Sequence, residues 1–202
     1  MMDKWLKILS LISLIFMNGG ASSAELSKPE ALVHELSHTV TQRLQAVPVK
    51  ERSNEKAAAL IREVVLPHFN VEEMARRIVG APWKTATESL KAQFKTEFTR
   101  MMINSYAAAF KSYRGETVRV LPLREAVKSP LQIASEIILK NGAHVKIYYA
   151  LKLHGTRWYV YDFSVNGVSI VNNYREQFNG TLRQQGLSGL VKQMQLRAAA
   201  RK

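Results

Sequence analysis

An α+β fold is predicted by this 202-residue chain from two switches in its hydrophobic period. Up to about residue 113 apolar side chains recur every three or four positions, as on a helix. From 116 to 165 they alternate, as on strands, and helical spacing returns towards the C-terminus. Four successive strands joined by short turns imply an antiparallel meander. The expected architecture is N-terminal helices and one long helix packed on a four-stranded or slightly larger antiparallel sheet, with closing C-terminal helices.

The elements follow in order. Leu32, Val33, Leu36, Val40, Leu44 and Val47 place an amphipathic helix over 29–46. The segment NEKAAALIREVVL reads as a second helix. FNVEEMARRIVG reads as a third, with Asn70 as cap, Glu73 three residues on and Phe69 positioned to staple onto Met74. Gly80 ends it and Pro82 prevents its continuation. Thr85 with Glu88 forms another capping box, opening a long helix with Leu90, Phe94, Phe98, Met102, Tyr106 and Phe110 on one stripe and Gly115 as its stop. ETVRVLPL, LQIASEIILK, HVKIYYALKLH and RWYVYDFSV are the strands, with hairpin turns at Asn141-Gly142 and around Gly155. The closing segment is helical, breaks at Gly186 and restarts with Ser188 as cap.

The N-terminus reads differently from the body. MMDKWLKILSLISLIFMNGGASSA has Lys4 and Lys7, an apolar stretch to Phe16 and an A-x-A-like Ser22-Ser23-Ala24. Residues 1–24 are therefore expected to be a secretory signal peptide, and 25–202 a single domain. No Cys follows the apolar stretch, so a lipoprotein anchor is excluded, and no run of about 18 apolar residues supplies a membrane span. Removal of the leader lowers the formal net charge from +13 to +12. Export without any cysteine fits a bacterial periplasm or exterior. There nucleic acid is not the expected partner of so basic a chain. An anionic lipid surface or an acidic protein is.

Little in the sequence carries reactive chemistry. His34-Glu35-Leu36-Ser37-His38 is a literal HExxH, the spacing that lets two histidines on one helix face hold zinc with the glutamate as general base. The usual third-ligand continuation is missing: Thr41 and Leu44 stand where glycine and histidine would. Only nine residues of the processed chain precede His34, too few for the sheet that supports such a helix. The competing reading is a solvent-facing pair opposite Leu32, Leu36 and Val40, with no metal. His68, His144 and His154 are scattered. Asp162 and Ser164 lie within a strand, where a lone carboxylate is more often structural. No Gly-rich phosphate loop occurs.

What the chain does have is apolar surface. In YVYDFSVNGVSIVNNYREQF, Tyr159, Tyr161, Phe163 and Val165 alternate, then Ile170, Tyr174 and Phe178 recur every four residues. Met74, Met101 and Met102 are adaptable wall material. Such faces either fill a core or enclose a cavity, and periodicity alone leaves both open.

The same stretch, with LRQQGLSGLVKQM after it, closely resembles the MlaC/toluene-tolerance family of periplasmic phospholipid-binding proteins. The resemblance rests on Tyr161-Asp162, Gly167-Val168-Ser169, Asn173-Tyr174-Arg175, Gln177-Phe178 and Gly186 with Gly189-Leu190. Phe69, Met74, Ala75, Gly80 and Trp83 agree, as does YRGETVRVLPLR, so the likeness spans about 55–195. Asn166 departs from it, an acidic residue being common there, and His34 and His38 are no part of the pattern. The resemblance implies a monomeric, non-enzymatic carrier with no cofactor, its cargo a diacyl phospholipid held in an apolar cavity between sheet and helices. It implies shuttling between an outer-membrane lipoprotein complex and an inner-membrane ABC transporter with an MCE-domain subunit, maintaining outer-membrane lipid asymmetry. The alternative is a secreted hydrolase, zinc-dependent through His34, Glu35 and His38 or acting on an apolar substrate in the same cavity.

Strand alternation and helix phase then assign the lipid pocket. Its expected walls are Met74, Ile78 and Trp83, then Phe98, Met102 and Tyr106 on the long helix. From the strands come Val118, Val120, Val145, Ile147, Tyr149, Tyr161, Phe163 and Val165, and beyond them Val168 and Ile170.

Overall fold

A computed structural model describes residues 28–123 and 126–200; the expected leader lies outside them. Helix α1 (Pro29–Gln45) opens with proline in its first turn, where the missing N–H costs nothing. Helix α2 (Asn54–Leu60) starts at Ser53, whose hydroxyl accepts from the Lys56 amide at 3.2 Å. The chain then winds more loosely, as a π turn over Ile61–Val65, and more tightly, as a 3₁₀ turn over Leu66–His68. The single helix expected here changes its winding because Pro67 has no N–H to return to the preceding turn.

Helix α3 (Val71–Val79) begins at Asn70, whose carboxamide oxygen accepts from the Glu73 amide at 2.9 Å, and stops at Gly80 with φ 72°. The two helix boundaries after it differ from expectation. Pro82 starts a helix rather than preventing one, sitting in the first turn of α4 (Ala81–Thr85). Thr85 is the last residue of α4, so the cap of the long helix α5 (Glu88–Ser112) falls to Thr87, whose hydroxyl accepts from the Leu90 amide at 3.2 Å.

Five antiparallel strands follow in sequential order: β1 (Thr117–Val120), β2 (Leu131–Ile138), β3 (His144–His154), β4 (Arg157–Val165) and β5 (Val168–Ser169). The Asn166-Gly167 turn between the last two has φ of 49° and 84°. Two consecutive positive values are what a type I′ hairpin requires, and Asn-Gly supplies them with least strain. Helix α6 (Ile170–Ala199) closes the chain, with the Ser169 hydroxyl accepting from the Asn172 amide at 3.1 Å. Its break is at Gly186, as expected, with φ 65° and ψ −172°. Ser188 is not a cap, because helix resumes directly after the glycine and Ser188 lies inside it.

Strand β4 holds the largest departure. The register with β3 runs Ile147–Val165, Tyr149–Phe163 and Ala150–Asp162, then jumps to Leu151–Val160 and Leu153–Trp158. Tyr161 is the extra residue of a bulge. One unpaired residue reverses the alternation of everything beyond it. Phe163 and Val165 therefore share the helix-facing side with Val160 and Trp158, not with Tyr159 and Tyr161.

The interior has three filled regions, the smallest being Ala58, Ile61 and Ile103 between the α2 segment and α5. Met74, Ala75, Ile78, Val79 and Trp83 pack with Phe94, Phe98 and Met102 of α5 and with Ile170, Val171, Tyr174 and Phe178 of α6. A second cluster joins Val33 of α1 to Ile133, Leu151, Trp158 and Val160 of the sheet. It fills the space under one end of the strands only.

Candidate functional site: an apolar cavity at the open end of the sheet

Beyond that second cluster the sheet and helices stand apart, leaving a cavity of about 460 Å³ that is partly open to solvent. Its floor is the other end of the sheet: Val118, Ile137, Leu139, Val145, Ile147, Tyr149, Phe163 and Val165. Its roof comes from Leu36, Val40 and Leu44 of α1, from Ile61, Val65 and Leu66, and from Met102, Tyr106 and Phe110 of α5. The floor residues are only part-buried although they face inward between layers. Phe163 meets Phe69 and Tyr106 edge-on and Tyr149 packs on the second cluster, but Val118, Ile137, Leu139, Val145, Ile147 and Val165 belong to none of the filled clusters.

Polar groups in the lining are few: Ser37 and Thr41 on α1, Ser112, Tyr113 and Glu116 where α5 ends, and the inner phenols of Tyr106 and Tyr149. Tyr106 and Tyr149 are held neutral. Burial raises the Tyr149 hydroxyl above its ordinary range, and that oxygen accepts from the fully buried Ser135 hydroxyl at 3.4 Å. Burial likewise pushes Tyr106 up to about 12, with Tyr174 and Asp162 adding to the effect. Arg52 ties the rim together. It donates to the carbonyls of Leu44 at 2.6 Å, Val47 at 3.0 Å and Tyr113, so the ends of α1 and α5 are held by one guanidinium.

Half of the residues expected on the pocket wall line this cavity: Met102, Tyr106, Val118, Val145, Ile147, Tyr149, Phe163 and Val165. The other half lie elsewhere. Met74 and Phe98 are 0% exposed in the filled core with Ile78, Trp83 and Ile170. The long apolar stripe of α5 serves two neighbours: its first half meets α3 and α6, its second half faces the cavity. Val120 packs on the filled sheet cluster, and Val168 is 58% exposed beside the β4–β5 turn. Tyr161, turned outward by the bulge, lies under the Arg77 guanidinium, 4.3 Å from its ring centre.

The walls from α1, from 61–66 and from β2 were not anticipated as pocket. Their signal was present, because Leu36, Val40 and Leu44 form one stripe and Ile137 and Leu139 one alternation. What could not be read was that these faces meet empty space.

The groups weighed for catalysis have other roles. Asp162 accepts from the Ser169 hydroxyl at 2.6 Å and from the Val171 amide at 3.0 Å, so its carboxylate ties β4 to the start of α6. His34 and His38 are exposed on α1 with rings stacked 6.5 Å apart, and Glu35 is exposed beside them. Among the described residues no group of three or more His, Cys, Asp or Glu side chains is placed to hold a metal ion.

The arrangement can take up a flexible apolar molecule and shield it from water. At about 30 Å³ per water-sized group, the cavity has room for roughly fifteen methylenes, about one acyl chain.

Comparison with known proteins bears on this geometry. The profile of the MlaC protein family matches residues 34–196. The intermembrane phospholipid transport system binding protein MlaC of Haemophilus influenzae is 24% identical over 98% of this chain and 94% of its own length. A toluene tolerance protein of Pseudomonas putida is 22% identical over 62% of this chain and 59% of its own. Among solved structures, a phospholipid-binding protein from Ralstonia solanacearum, determined in complex with a phospholipid, superposes with a TM-score of 0.80. That match covers 86% of this chain and 98% of the other at 24% identity, and so shares the fold.

Proposed function

This chain belongs to the MlaC family, and from that premise we propose that it is a phospholipid carrier whose cargo occupies the cavity between α1, α5 and the open end of the sheet. The observation that carries the reading is the part-buried apolar floor formed by Val118, Val145, Ile147 and Val165, which line the cavity and belong to no filled cluster. Apolar residues between layers with nothing packed on them are unfavourable in a protein that holds no ligand.

The energetics suit transport without chemistry. Roughly fifteen methylenes at about 0.8 kcal/mol each represent on the order of 12 kcal/mol of apolar transfer. A free lipid faces that cost, and more for its second chain, on leaving a bilayer. A dry cavity returns most of it, so exchange between membrane and carrier lies close to balance and direction is set by whatever loads and unloads the protein. An aqueous compartment between two membranes is the setting this chemistry needs. Within the reading, the loading and unloading partners are an outer-membrane lipoprotein complex and an inner-membrane ABC transporter with an MCE-domain subunit. The carrier works without catalysis, which accords with Asp162 serving as a helix cap and with His34 and His38 facing solvent away from the cavity lining.

The test is cargo. Protein purified from a bacterial periplasm under mild conditions is expected to yield phospholipid on organic extraction and mass spectrometry, and lipid-free protein is expected to regain it from vesicles. Protein that is empty in every preparation and takes up nothing would defeat the reading.

A further inference from the structure

The end of the sheet that floors the cavity also carries an unneutralised cationic surface. Leu139 and Val145 line the cavity, while Lys140, His144 and Lys146, their neighbours in the β2–β3 hairpin, are exposed. Lys146 lies between the cavity residues Val145 and Ile147, so strand alternation turns it to the opposite face. At the adjacent corner Tyr113 and Glu116 line the cavity, with exposed Arg114 between them.

The nearby carboxylates are already engaged. Glu136 accepts from Arg119 at 2.6 Å and lies 3.6 Å from His144, and Glu116 accepts from the Arg114 backbone amide at 2.6 Å. The Arg114 guanidinium donates to the uncharged carbonyls of Lys111 and Tyr113. Among the described residues no carboxylate forms an ion pair with Lys140, Lys146 or that guanidinium.

We propose that Arg114, Lys140 and Lys146 form a docking surface for anionic membranes, seating the cavity end of the molecule on phospholipid head groups. The proposal rests on the carrier reading, in which cargo reaches the cavity these residues border. Charge complementarity selects the occupant. Three exposed cations around a hairpin tip and a rim match a laterally uniform sheet of phosphates, and fixed acidic side chains on a protein would need a matched geometry that an exposed hairpin does not impose. Attraction of this kind acts over about a Debye length and weakens with salt.

The experiment is flotation of the processed chain with vesicles of phosphatidylglycerol and phosphatidylcholine in equal parts, against vesicles of phosphatidylcholine alone, at low and at physiological ionic strength. The test variant combines Arg114→Gln, Lys140→Gln and Lys146→Gln. Its control combines Lys84→Gln, Arg183→Gln and Lys192→Gln, three exposed cations of α4 and α6 that remove the same net charge. Each surface cation contributes roughly fivefold, so the hairpin variant is expected to lose on the order of a hundredfold in affinity for the anionic vesicles. The control is expected to bind as wild type does. Equal loss in both variants would overturn the proposal in favour of net charge alone. Equal binding of wild type to both vesicle types would overturn it outright, as would undiminished vesicle binding by the hairpin variant. Lipid extracted from each variant separates the two ideas: absence of cargo in wild type defeats the carrier reading, whereas an intact cargo with unchanged flotation defeats only the docking surface.

Discussion

Replacing Ile147 by tryptophan places an indole where the structure has empty space. Ile147 sits mid-floor, paired with Ser135 on β2 and Val165 on β4, and its side chain faces the cavity. The substitution adds about six heavy atoms, against room for roughly fifteen methylene-sized groups in 460 Å³. It therefore removes about two fifths of the cavity. In a filled core such an insertion costs about 1–3 kcal/mol through forced rotamers and backbone shifts. Here the added ring meets no atom it must displace and buries more apolar surface, so the expected change in stability is under about 1 kcal/mol. Retained lipid is expected to fall severalfold, because an acyl chain can no longer extend past the middle of the floor. Ala75→Leu is the matched control. Ala75 is 0% exposed in the filled cluster between α3, α5 and α6, so overpacking there is expected to cost the full 1–3 kcal/mol while cargo stays bound. Thermal melts and lipid mass spectrometry on the same samples decide the matter. An Ile147→Trp protein that is destabilised yet carries wild-type lipid would refute the reasoning and show the floor to be packed.

Other perturbations test other parts of the structure. Asp162→Ala deprives the Ser169 hydroxyl and Val171 amide of a charged acceptor and is expected to cost about 1–3 kcal/mol in chemical denaturation, with the lipid load of the folded fraction unchanged. Combined His34→Ala and His38→Ala is expected to leave the melting temperature and lipid retention at wild-type values; a stoichiometric zinc content lost in the variant would contradict this. Tyr106 predicts a response to alkali. Its folded pKa is about 12 against an ordinary value of 10.0, so the unfolded chain gives up this proton first. The associated stability is fully present below pH 10.0 and declines as pH rises from there towards 12, and Tyr106→Phe is expected to flatten that part of the profile.

Sequence by itself determined the class of the fold and most of its punctuation, because these are local matters. Asn70 caps α3, Gly80 ends it and Asn166-Gly167 turns the chain, each through backbone conformations and hydrogen bonds within a few residues. Family membership was legible for a similar reason, since short runs such as Gly167-Val168-Ser169 and Asn173-Tyr174-Arg175 can be recognised without coordinates. The tertiary structure decided which apolar faces are packed and which are hollow. A bulge exists only in relation to a partner strand, so nothing in the alternation of Tyr159, Tyr161, Phe163 and Val165 announced that its phase would reverse at Tyr161. Phe98 and Met102 stand one turn apart on the same stripe, yet only Met102 reaches the cavity lining. That difference depends on what α3 and α6 bring against the first half of α5, and on the gap that α1 and the sheet leave beside the second. Hydrophobicity is a property of a residue; a cavity is a property of the distance between layers, set by contacts far apart in the chain.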